Sequence, residues 1–67
     1  MKKIRIEMKG GSHHEYEGEE AEIAINSIEY GERCNLRFVR LSFRRGFAMT
    51  LNLDNVLFTW ESDTDKQ

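Results

Sequence analysis

The chain has 67 residues, 39% hydrophobic and 33% charged, with a net charge of −2, one Cys and no Pro. That length fits one domain and excludes two, and a lone Cys excludes an intrachain disulfide framework. No apolar run exceeds three residues, which excludes a membrane-spanning helix, and Met1-Lys2-Lys3-Ile4-Arg5 leads into no apolar stretch of the kind a signal peptide needs, so a cytoplasmic protein is expected.

Ile4, Ile6 and Met8 alternate with Arg5, Glu7 and Lys9, which predicts a half-buried strand over residues 3–9. Gly10-Gly11-Ser12 reads as a turn, and residues 13–17 as the returning strand of a hairpin. Residues 19–30 fit two patterns. As a helix, Ala21, Ala24, Ile25 and Ile28 form one apolar stripe, and Glu19, Glu20 and Glu22 sit in the first turn, where the helix dipole favours anions. Gly31 then stands where a terminating glycine is expected. As a strand, Ala21, Ile23 and Ile25 alternate, but Asn26-Ser27 breaks the phase, so the helix is the preferred reading. On that helix Ile23 points away from the stripe, an apolar spot among glutamates.

The last third alternates three times: Val39, Leu41, Phe43; then Phe47, Met49, Leu51, Leu53; then Val56, Phe58, Trp60. A three-residue loop Arg44-Arg45-Gly46, with Gly46 left-handed, places Phe43 opposite Phe47 and Leu41 opposite Met49. A two-residue loop at Asp54-Asn55 would place Leu53 opposite Val56 and Leu51 opposite Phe58. Residues 36–61 are thus expected to form a three-stranded antiparallel meander with one apolar face, its other face carrying Phe38 and Arg40. The expected fold is a two-layer α+β domain over residues 1–61. It has an antiparallel sheet of four to five strands and one helix, followed by a disordered polar tail at residues 62–67. The helix stripe is too small to cover that apolar face, so a homo-oligomer is expected.

Charge is segmented along the chain. Residues 10–32 hold seven Glu and no Lys or Arg, whereas residues 33–50 hold five Arg and no acid. The blocks either pair within the fold or give the molecule one acidic and one basic side.

Little of this points to catalysis. His13-His14-Glu15 places neighbouring residues on opposite faces of a strand, a poor arrangement for one metal ion. Cys34 follows Arg33, which can lower a thiol pKa, but no base or oxyanion hole is recognisable. No catalytic residue, cofactor or metal site is expected. Arg33, Arg37, Arg40, Arg44 and Arg45, interleaved with Phe38 and Phe43, are the clearest binding signal. Phe38, Arg40, Arg44 and Arg45, with Ile23 as an outlier, are the expected contacts for a partner protein. Arg33, Arg37, Phe38, Arg40, Arg44 and Arg45 are the alternative set for nucleic acid, since arginines neutralise phosphates and exposed aromatics stack bases.

The lysine- and isoleucine-rich opening Lys2-Lys3-Ile4-Arg5-Ile6-Glu7, the glycine turn, the acidic helix and the closing Leu51-Asn52-Leu53-Asp54-Asn55-Val56 resemble short accessory proteins of phages and mobile elements. That resemblance implies a non-enzymatic protein that binds and inhibits a host or defence protein, as anti-CRISPR proteins do. It carries over no functional residue.

Overall fold

The computed structural model describes residues 1–64, and both of its hairpins close with the same turn. Strand β1 (Lys2–Met8) returns as β2 (His13–Glu17). The Met8 N–H donates to the Ser12 carbonyl at 2.9 Å, and the Gly11 N–H to the Met8 carbonyl at 3.0 Å. Strand β3 (Phe38–Ser42) returns as β4 (Ala48–Asn52), with Phe43 N–H donating to Phe47 at 2.9 Å and Gly46 N–H to Phe43 at 3.1 Å. Gly11 and Gly46 hold φ of 94° and 93°, which a side chain at either position would oppose. The expected Arg44-Arg45-Gly46 loop is therefore present, and Leu41 lies opposite Met49 and Val39 opposite Leu51.

Residues 19–30 are helical, and helix α1 runs further, from Glu19 to Arg33. It starts at Gly18, whose φ of 63° and ψ of −130° suit only glycine. Its buried stripe is Ala21, Ala24, Ile25 and Ile28, as the spacing predicts. Gly31 does not end the helix. The terminator is Asn35, in the left-handed region at φ 57°. Leu36 N–H reaches the Gly31 carbonyl at 2.8 Å and Asn35 N–H the Glu32 carbonyl at 3.2 Å, the paired bonds of a Schellman motif. Gly31 is instead a packing residue. A Cβ there would lie 2.3 Å from Val39 Cγ1 and 2.8 Å from Leu53 Cδ1.

The last strand departs from the expected meander. Strand β5 (Val56–Asp63) pairs with β1, not with β4, so the strands form a three-stranded sheet β2-β1-β5 and a separate β3-β4 hairpin. The cause lies in Asn52. Its side-chain oxygen accepts the Asp54 N–H at 3.0 Å and starts a single 3-10 turn, Leu53–Asn55, that carries the chain across to β1. Asp54 and Asn55 do not adopt the positive φ that a tight hairpin loop requires. Lys9 N–H then donates to the Asn55 carbonyl at 2.8 Å, joining the crossover to the first hairpin.

This pairing inverts β5. Thr59 and Glu61 lie opposite Ile6 and Ile4, whereas Phe58 and Trp60 lie opposite Glu7 and Arg5 on the outer face. Phe58 and Trp60 are exposed, and the core is built without them. It joins Ile4 and Ile6 of β1, the α1 stripe, and Val39, Leu41, Phe43 and Leu51 of the second hairpin. The two-layer α+β class holds, and the apolar excess that suggested an oligomer is on the surface as β5 rather than on a meander face. The expected disordered tail does not begin at residue 62. Ser62 and Asp63 belong to β5, and Thr64 N–H donates to the Met1 carbonyl at 3.1 Å. The rest of that tail, 65–67, lies outside the described residues.

Tyr16 ties the two sheets together. Its ring stacks on Phe43 with centroids 5.0 Å apart, and its hydroxyl donates to Met49 Sδ at 3.6 Å. Partial burial, and secondarily the Glu20 carboxylate, push its phenol above the usual value. The folded state thus resists deprotonation more than the unfolded chain does, and this contribution is lost as pH rises above about 10. Tyr16→Phe is expected to fold at neutral pH and to lose less stability than the parent between neutrality and strongly alkaline pH. Urea titrations across that range check it; identical slopes would refute it.

Candidate interaction surface

The arginines expected to form one patch are divided by the fold. Arg44 and Arg45 sit in the β3–β4 turn against the start of α1. Arg44 Nε lies 3.0 Å from Glu19 and Arg45 Nε 2.8 Å from Glu20, and Arg45 also covers the Phe47 ring at 5.2 Å. Arg37 Nε lies 3.1 Å from Asp54. The acidic and basic blocks therefore pair within the fold, and the first basic block does the same: Arg5 Nη1 lies 2.9 Å from Glu15 and Lys3 Nζ 3.6 Å from Glu17. Arg5 also bonds Glu7, which holds its guanidinium pKa above the usual value. These pairs are exposed and add little stability, but they cancel the positive field that a phosphate-binding face needs.

Arg40 and Arg33 have no ion pair among the described residues, and Arg40 stands at a different kind of place. Alternation along β3 puts Val39 and Leu41 inward and Phe38 and Arg40 outward, as expected. The Schellman turn then brings Leu36 beside Phe38, and the exposed flank of α1 brings Tyr30. Together with Asn26 and Ser27 they line a hollow of about 350 Å³ between α1 and β3. Tyr30 is 57% exposed, Phe38 53% and Leu36 42%, a concentration of large apolar surface next to an unpaired guanidinium.

Sequence reasoning found Phe38 and Arg40 here and missed Tyr30 and Leu36. Only the approach of the end of α1 to the start of β3 makes them neighbours. Ile23 is not the exposed spot expected of it. It is half-buried and packs against the core, because β3 closes on that flank of α1. At i+4 and i+7 from Ile23, Ser27 and Tyr30 continue the same flank into the hollow.

Cys34 is exposed, and none of the described residues form a group of three or more His, Cys, Asp or Glu placed to hold a metal ion. No described helix is long and apolar enough to cross a membrane. Comparison with protein-family models, curated proteins and solved structures gave no match.

Proposed function

We propose that this is a non-enzymatic binding protein that holds a partner protein at the hollow between α1 and β3. The observation that carries this reading is the juxtaposition of Tyr30, Leu36 and Phe38, all exposed, with Arg40, whose charge is unpaired among the described residues. Aromatic side chains and arginine dominate the binding energy of protein interfaces, and a shallow apolar hollow gives such anchors a counterpart. The resemblance to phage accessory proteins makes an inhibitor of a host or defence protein the specific form of this reading. The nucleic-acid alternative loses support from the ion pairs of Arg37, Arg44 and Arg45.

A photo-crosslinking residue in place of Leu36 tests the proposal, with one in place of Glu17, which does not line the hollow, as control, and with Lys9 in the β1–β2 turn as a second. Leu36 is expected to capture a protein that neither control does. Phe38→Ala is expected to weaken that complex by about thirtyfold, as loss of an interface anchor does, and Arg40→Ala by a smaller factor. A captured product that nuclease removes, or oligonucleotide binding that falls steeply with salt, would support nucleic acid instead. Sedimentation over a dilution series separates a second copy of this chain from a different protein.

A further inference from the structure

The seam between β5 and α1 has three properties that occur together nowhere else among the described residues. First, β5 is an open edge. It pairs with β1 on one side only, and beyond that ladder no backbone hydrogen bond reaches residues 57–62. Sheet edges are ordinarily guarded by Pro, by charged residues or by covering segments, and Val56–Asp63 contains no Pro, Lys or Arg, its charges being the acidic Glu61 and Asp63 alone. Second, the edge looks onto a furrow. Ile28 and Glu32 of α1 face Val56–Thr59 across one hollow, and Ile25 and Glu29 face Glu61–Asp63 across the next. Third, the furrow is negatively charged, and Lys2, the one cation among its described lining residues, pairs with Glu22 at its edge. Glu7, Glu15, Glu17, Glu19, Glu20, Glu22, Asp54 and Asp63 all have ion pairs. The described carboxylates with none are Glu29, Glu32 and Glu61, and all three line this furrow.

We propose that β5 accepts an extended, basic segment of a partner protein as an added strand. Main-chain hydrogen bonds to an edge strand supply affinity, and alternate side chains supply selectivity. The alternation here is defined by the fold. On the α1 side an added strand meets Glu29, Glu32 and Glu61. On the other side it lies beside Phe58 and Trp60, whose rings contact edge to face at 5.9 Å. The guest that fits alternates Arg or Lys with aliphatic residues. A second copy of β5 fits worse, since it would bring its own Glu61 and Asp63 into a furrow that already holds unpaired carboxylates. This surface shares only Asn26 with the Phe38–Arg40 hollow, and its argument does not depend on that hollow.

The probe is a peptide the length of β5 with Arg and Val alternating, tested on the full chain. Controls are the same peptide with Glu in place of Arg, and the Arg peptide N-methylated at alternate residues. Trp60 is the only tryptophan in the chain, so its emission reports the site. The Arg peptide is expected to bind with a blue shift of Trp60 and to slow amide exchange at 57–62. The combined Glu29→Gln, Glu32→Gln and Glu61→Gln variant is expected to bind about tenfold more weakly, three exposed ion pairs each being worth a fewfold. N-methylation is expected to abolish binding, and Phe38→Ala with Arg40→Ala to leave it unchanged. The proposal is overturned by absent binding at millimolar peptide, by binding that survives N-methylation, or by binding that the glutamine variant does not weaken. Slow exchange at 57–62 in free protein that sediments as a dimer would overturn it in favour of a second copy.

Discussion

Leu41→Ala will lower the stability of the protein by about 2–5 kcal/mol, enough to shift its urea midpoint strongly. Leu41 is fully buried, and with Ile6 it is one of the two largest side chains to be so. It lies on β3 between Val39 and Phe43, within the core that joins α1 to both sheets. Truncating a buried leucine to alanine costs about 2–5 kcal/mol, because transfer free energy is lost and a cavity remains. A chain this short has total stability of about 3–10 kcal/mol, so one such loss removes a large share of it. Leu41→Met, which conserves volume, should cost less than about 1.5 kcal/mol. Urea denaturation followed by far-ultraviolet circular dichroism is the suitable measurement. Trp60 is 65% exposed when folded, so its fluorescence changes little on unfolding. A Leu41→Ala midpoint near that of the parent would show that the core is centred elsewhere.

Gly31→Ala should destabilise the protein although it lies within a helix, where alanine is ordinarily better than glycine by about 1 kcal/mol. The new methyl would fall 2.3 Å from Val39 Cγ1 and 2.8 Å from Leu53 Cδ1. Leu53 can swing aside, but valine is branched at Cβ and has little rotamer freedom. Overpacking of this kind costs about 1–3 kcal/mol, more than the helix gains. Val39→Ala removes the obstructing methyl while leaving a cavity. The two substitutions should therefore be less harmful together than the sum of their separate effects, by about 1 kcal/mol or more. Thermal melts of the parent, the two single variants and the double variant give that coupling directly. Strict additivity, or a more stable Gly31→Ala protein, would mean that helix and hairpin do not meet at this point.

These two residues also show where sequence reasoning succeeds and where it stops. Leu41 was assigned to the buried face by alternation and by the Gly46 turn, which together set the β3–β4 register without knowledge of the rest of the fold. The α1 stripe was legible in the same way, from local periodicity. Gly31 has the sequence pattern of a terminator because the signal of a helix end is local, whereas its contact with Val39 is tertiary. The misplacement of β5 has a similar origin. Alternation shows that Val56, Phe58 and Trp60 share a side, but not which strand lies beside them. The Asn52 side chain accepts the Asp54 N–H and starts the turn through which the chain crosses to β1, and the largest apolar residues of β5 then face outward. The candidate surface was half legible. Phe38 and Arg40 follow from β3 alternation, while Tyr30, Leu36 and the unpaired Glu29, Glu32 and Glu61 become neighbours only when elements distant in sequence meet.

The pairing of Lys2 with Asp63 also constrains the order in which the protein can be built. Each hairpin and the helix need only nearby residues, so they can begin to organise as the ribosome delivers them. β1 is different. Its second edge stays unpaired until Val56–Asp63 has been synthesised. A nascent chain stalled after β4 therefore displays an unpaired β1 edge, and truncation within β5 leaves that edge open. Pairing with β5 removes an open strand edge of the kind that invites aggregation while a chain is incomplete.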